Sequence, residues 1–298
     1  MNKHGIHSTN YRALRISAVL IFIYFFIEIF FALKTGSLSL LADAAHEFST
    51  VVAITISLVA VWLADKKATP NRTYGYQRAE ILAALINGVL LFGMAIFIIV
   101  RGIQRLTAPL EMSSTPMFVM AIGGIGLEIA SLIIMYKGQK ESLNIRGSYW
   151  HVINAFLGSI AVIIAAIFIA VAKYYQADTW AGILFALILI YAAYGIVKDS
   201  LNILLDKAPD NTDMEKIEKE LLAIPGVLSA HHMHARTVSS NVTSFSAHLV
   251  VNNLANSKQI LETTKQILEK QHGFSLTTLQ LEDKNTLEAD PRRIEYHD

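Results

Sequence analysis

The 298-residue chain contains no cysteine. That excludes a disulfide framework, a thiolate metal centre and a cysteine nucleophile. Charge is also scarce: Asp, Glu, Lys and Arg make up 16% of residues, and the formal net charge is +1. With no field of one sign, nucleic acid is not an expected partner. The first residues, MNKHGIHSTNYRALR, run into an apolar stretch without a small-residue cleavage pattern, so they read as a retained cytosolic tail. Apolar surface, by contrast, is abundant: 53% of residues are hydrophobic and mean hydropathy is +0.44. This is the balance of a multi-span membrane protein carrying a smaller soluble part.

Six apolar segments follow one another, at about 14–33, 38–63, 81–100, 117–136, 150–172 and 180–197. Each is long enough to cross a bilayer as a helix. One set of connections carries Lys3, Arg12 and Arg15, then Lys66, Lys67, Arg72 and Arg78, then Lys137, Lys140 and Arg146. The opposite set has Lys34, Arg101, Arg105 and Lys173. The richer set marks the cytoplasmic side, which predicts a multi-pass protein with both termini in the cytoplasm.

Composition changes after Asp206, so the expected division is a membrane domain over 1–206 and a cytoplasmic domain over 207–298. Thr212-Asp-Met-Glu215 fits a capping box that opens a helix with Ile217, Leu221 and Leu222 as its apolar stripe. Strand-like runs follow at 227–238 and 242–251, joined by Ser239-Ser240-Asn241, then a helix over 257–271 and a strand over 275–282. The order αββαβ predicts a small α+β, ferredoxin-like domain with one sheet face under helices.

The second apolar segment carries Asp43, His46, Glu47 and Thr50. At about 100° per residue these positions share roughly one quadrant of a helix. Ionisable groups within a span cost several kcal/mol or more unless they face protein, water or an ion, so the quadrant suggests an ion pathway. Glu28, Asn87, Glu128, His151 and Asn154 add polar groups on four other segments, with His151 and Asn154 on one face of the fifth. Imidazoles flanked by oxygen groups suit a borderline dication such as zinc, and they can exchange protons near neutral pH. His46-Glu47 does not begin an HExxH site, because position 50 is Thr, and no enzyme is expected.

Several longer runs carry a resemblance. They are Ser37-Leu-Ser-Leu-Leu-Ala-Asp43-Ala-Ala-His46, Tyr74-Gly-Tyr76-Gln-Arg78-Ala-Glu80 with Asn87-Gly88, and Leu143-Asn-Ile-Arg-Gly-Ser-Tyr-Trp-His151 with Leu157-Gly158-Ser159. Ser200-Leu-Asn-Ile-Leu-Leu-Asp206, Ile224-Pro-Gly-Val-Leu and Ser246-Ala-His248 continue the pattern. Over about 14–282 the chain resembles the cation diffusion facilitator family of dimeric zinc and divalent-metal/proton antiporters. The resemblance implies a homodimer in the lipid bilayer that exchanges a divalent cation, zinc foremost, for protons. It also implies a transport site similar to His-x-x-x-Asp on both the second and fifth helices. Here His46 and His151 stand in place, but the carboxylate positions hold Thr50 and Ala155. Candidate replacements for the missing oxygens are Asp43, Glu47, Asn154 and Glu128, the last where the family usually has Asn.

In the soluble part, strand alternation puts His232, His234 and Arg236 on one face. If 239–241 is a three-residue hairpin loop, His232 falls opposite His248, so His232, His234 and His248 form a candidate zinc site. The resemblance points the same way, since this domain in the family pairs protomers and often binds zinc. Two readings stay open: an exporter with a relocated ligand set, or a non-transporting member with a degenerate membrane site that senses metal or assists a competent partner.

Overall fold

The computed structural model describes residues 3–64, 68–108, 110–136, 143–210, 212–239 and 242–283, apart from the side chains of 3–18, 53–54, 56–64, 134–135, 143–151 and 154. Six long helices come first: α1 (Lys3–Thr35), α2 (Leu38–Ala64), α3 (Gln77–Thr107), α4 (Ser114–Met135), α5 (Leu143–Ala172) and α6 (Gln176–Leu204). Among the described residues, α3, Ser114–Ile133 of α4, Ala155–Ala172 of α5, and α6 are long and apolar enough to cross a membrane. The described residues form two compact units, one up to Val61 with Ala83–Val197, the other Trp62–Leu82 with the chain from Lys198 onward.

In the first unit, α2 lies between two apolar cores. Its Leu40 packs with Ala32 of α1, Met117 and Met120 of α4, and Val162 and Ile169 of α5. Its Ala42 and Ala45 pack instead with Leu91 and Ile98 of α3 and Phe185 and Leu189 of α6. With apolar residues on both flanks, the polar quadrant Asp43, His46, Glu47 and Thr50 is enclosed too, and all four residues are buried. Small residues allow the helices to approach closely, as interfaces without a hydrophobic drive between helices require. A Cβ at Gly124 of α4 would lie 2.6 Å from the Tyr24 hydroxyl oxygen, and one at Gly158 of α5 would lie 2.7 Å from the Phe185 ring and 3.0 Å from Asp43 Oδ1. Large apolar side chains such as Ile86, Phe97, Ile133, Val171 and Tyr191 point away from the unit.

The second unit contains α7 (Met214–Leu222), β1 (Val227–Ser239), β2 (Val242–Val251), α8 (Ser257–Gln266, extended by a π-wound turn over Ile267–Gln271) and β3 (Leu276–Glu282). The expected order of elements is present, as a three-stranded sheet ordered β1-β2-β3 with β1 antiparallel and β3 parallel to β2. Ile217 and Leu221 of α7, Ile260 of α8 and Leu268 pack on Met233, Ala235, Phe245, Ala247 and Leu249 to form one core. Two local expectations are corrected. The cap of α7 is Asp213, not Thr212: its carboxylate accepts the Lys216 amide at 2.9 Å, which neutralises one free donor of the first turn. In the hairpin, Ser239 pairs with Val242, so the loop has two residues and not three. The connection 137–142 and the tail 291–298 lie outside the described residues.

Candidate metal sites

Helix α2 brings its polar quadrant against α1, α4 and α5. Ser159 Oγ of α5 lies 3.0 Å from Glu128 Oε1 and 3.4 Å from Asp43 Oδ2. A hydroxyl has one proton, so Ser159 can donate to only one of the two carboxylates at a time. Glu28 of α1 is fully buried, and Tyr24 Oη lies 3.4 Å from its Oε1. The Tyr24 hydroxyl also lies 2.9 Å from the Met120 carbonyl, which anchors α1 on α4. Among the described residues, four buried carboxylate oxygens have no hydrogen-bond partner: Glu28 Oε2, Asp43 Oδ1, Glu47 Oε2 and Glu128 Oε2. Unpaired carboxylate oxygens in an apolar interior are costly unless a cation or proton compensates them. This donor set fits a dication, and it equally fits protons in its place.

The structure therefore gathers Asp43, Glu128 and Ser159 and adds Glu28, noted in the sequence only as an intramembrane acid. His46 is buried beside Phe185, with ring centroids 6.0 Å apart. Thr50, in the family's carboxylate position, turns its hydroxyl back to the His46 carbonyl at 3.1 Å, and Ala155 is buried. His151 and Asn154 belong to α5, but their side chains lie outside the described residues. Asn87 of α3 donates to Ser49 Oγ at 3.1 Å, on α2 next to the quadrant.

On the soluble domain's sheet the histidines are arranged differently from the expected register. His231, not His232, pairs with His248 across the hairpin, and His234 pairs with Ser246. Three residues of β1 thus span two of β2, which is a β-bulge. His232 takes up the extra length in the left-handed region at φ 49°. The bulge brings the rings of His231, His232 and His248 within 5.0–5.3 Å of one another, and one ligand nitrogen from each lies within 4.8 Å of the others. His234 is exposed and stands apart from this group, lining a cavity of about 590 Å³ with Tyr74, Asp206 and Arg236. Glu282, at the end of β3, completes the cluster: Oε1 is 2.7 Å from His248 Nδ1 and Oε2 is 3.4 Å from His231 Nε2. Three imidazoles and a carboxylate are a ligand set suited to tetrahedral zinc. His231 and Glu282 were missed by strand alternation, which has no means of showing a bulge at a residue other than glycine.

Comparison with known proteins adds the family. The profile of the cation efflux transmembrane domain matches residues 14–205, and that of the cation efflux protein cytoplasmic domain matches 209–284. The chain is 36% identical over 282 residues to the cation efflux system protein CzcD of Alcaligenes sp. (strain CT14), covering 94% of this chain and 89% of that protein. It is 36% identical over 287 residues to the cadmium, cobalt and zinc/H(+)-K(+) antiporter of Bacillus subtilis (strain 168), covering 95% and 92%. It is 32% identical over 250 residues to the zinc transporter ZitB of Yersinia pestis, covering 83% and 80%. The two profiles together span nearly the whole chain, and the relatives align along most of their own length. The chain belongs to the cation diffusion facilitator family of cation efflux proteins.

Proposed function

We propose that the protein is a divalent-cation exporter, with zinc foremost among its cargoes, that exchanges the metal for protons. The observation that carries this reading is the set of four buried carboxylate oxygens on α1, α2 and α4 that have no partner among the described residues. Such groups need a positive charge, and an exchange of metal for protons supplies one in every state of the cycle. His46 and His151 serve as nitrogen ligands, with oxygen from Asp43, Glu47, Glu128 or Asn154. The relocated acids stand in for the carboxylates absent at positions 50 and 155.

In this reading all six long helices cross the bilayer, both termini face the cytoplasm, and the protein works as a homodimer. The membrane domain ends near Asp206, and the domain after it has a ferredoxin-like arrangement that pairs protomers. Its His231, His232, His248 and Glu282 bind zinc and report cytoplasmic metal. The test is zinc uptake into proteoliposomes under an imposed pH gradient. Uptake that depends on the gradient and is abolished by collapsing it is the expected outcome. Absence of uptake, with zinc still bound by the cytoplasmic domain, would replace this reading with that of a non-transporting metal sensor.

A further inference from the structure

The start of α2 is held in an unusual way. Its four leading amides are all satisfied by side chains. Ser37 N donates to Thr35 Oγ1 at 3.2 Å and Leu40 N to Ser37 Oγ at 3.2 Å, both within the segment. The other two reach across to α6: Leu38 N donates to Asp178 Oδ2 at 2.7 Å and Ser39 N to Asp178 Oδ1 at 3.1 Å. The Ser37 and Ser39 hydroxyls also donate to Asp178 Oδ1, at 2.5 and 2.6 Å. Asp178 is fully buried and receives four hydrogen bonds, a pattern that only an acceptor on both oxygens satisfies.

Closing the helix does not explain this arrangement. Ser37 is already a competent local cap. What a local cap cannot do is fix the rotation and height of α2 against another helix. The surroundings serve that purpose. Gly182, one turn along α6, lies so close to α2 that a Cβ there would be 2.8 Å from the Leu38 backbone. Arg105 of α3 donates to the carbonyl of Gly36, which makes the α1–α2 turn at φ 72°. Three helices are thus fixed together five to eight residues before Asp43 and His46, about 7–12 Å along the axis.

We infer that Asp178 is a positioning residue for transport: it sets the placement of α2, and through it the geometry in which Asp43, His46 and Glu47 meet the cargo. Metal coordination tolerates displacements of only about 0.2 Å, so a small shift or rotation of α2 weakens binding before it unfolds the protein. The inference rests on the proposed role of α2 in holding the cargo.

The test uses the full-length protein in proteoliposomes, with zinc KM and maximal rate measured per folded molecule. In Asp178→Asn the amide turns an N–H toward one of four donors, and KM is expected to rise about tenfold, the scale of one charge-assisted hydrogen bond, with the maximal rate within about twofold of the parent. A lower yield of folded protein with unchanged KM would overturn the inference, since a purely structural residue acts on abundance alone. If Asp178→Asn does not fold, Ser39→Ala removes one donor and keeps the backbone clamp; a rise of about threefold supports the inference and an unchanged KM overturns it. Asp43→Asn and His46→Ala are the controls. Unchanged zinc KM in both would overturn the cargo site and the clamp together. A change in the controls but not in Asp178→Asn overturns the clamp alone.

Discussion

The membrane cluster and the cytoplasmic cluster are built from opposite materials. Among the described residues the cytoplasmic cluster is rich in nitrogen and already convergent, with one nitrogen from each of three imidazoles within 4.8 Å of the others and a carboxylate within 3.4 Å of two of the rings. The membrane cluster is rich in oxygen, and its acids are spread over three helices, with Ser159 between two of them. The difference follows from the scaffolds. Strands locked in register hold their side chains in place, so a site built on them is formed before the metal arrives. Helices that meet through small residues can shift, and a carrier needs a site that closes on its cargo in one state and opens in another. Preformed sites suit sensing, and unfinished ones suit transfer.

The largest expected effect breaks this comparison on the membrane side. His46→Ala/His151→Ala in the full-length protein should reduce zinc uptake by a factor on the order of 100 or more, because the remaining donors are all oxygen and zinc prefers nitrogen in the set. Glu128→Gln should likewise abolish uptake while the dimer persists in size-exclusion chromatography. Uptake retained in either variant would mean that the cargo follows another route.

A large effect is also expected in the cytoplasmic domain, whose buried core among the described residues runs from Ile217 to Phe274, with Ala208, Met214, Leu279 and Leu281 packed against it. Residues 207–298 should fold alone. Zinc at about 100 times its Kd adds about 2.7 kcal/mol to stability, a rise in Tm on the order of 10–20 °C for a domain this small. Metal binds the deprotonated ring, and imidazole takes up a proton near pH 6.5 in free solution, so the zinc-dependent rise is present above that pH. It should shrink as pH falls, because protons and metal compete for the same ring nitrogens. Melts at pH 7.5 and 5.5 measure this. The rise should also vanish in His231→Ala/His248→Ala, and its survival there would move the metal elsewhere.

A smaller effect sharpens the comparison. Thr50→Asp/Ala155→Asp restores a carboxylate one turn from each membrane histidine and should tighten zinc binding by about tenfold, measured by isothermal titration. The added acids should also slow release, so uptake need not rise with affinity. Unchanged affinity would show that Glu28, Asp43 and Glu128 already saturate the ion.

Much of this organisation could be read in the chain itself. The α2 quadrant was legible because helical spacing is regular and the polar positions sit in an otherwise mostly apolar run. The αββαβ order was legible from caps, breakers and alternation. What stayed hidden depends on single backbone events or on distant partners. A histidine in the left-handed region at position 232 shifts the register by one and exchanges His234 for His231. Thr212 and Asp213 are both good caps by residue type, and it is Asp213 that accepts the Lys216 amide. Asp178 looks like any polar residue at a helix start until α6 is laid beside α2, about 140 positions earlier.

The smallest effect is the most discriminating one. Strand alternation would make His234 a zinc ligand, whereas the bulged sheet leaves it exposed, opposite Ser246 and outside the convergent group. The two ligand sets share His232 and His248, so substitutions there cannot separate them. His234→Ala can. An exposed histidine away from caps and cores contributes within about 0.5 kcal/mol, so the metal-free Tm should barely move. If the bulge sets the site, the zinc-dependent rise in Tm should also match the parent's, while His231→Ala should lose most of it. A full rise in His231→Ala together with a lost rise in His234→Ala would mean that β1 runs without the bulge when zinc is bound. In that case the cytoplasmic site, like the membrane one, would be completed by its metal.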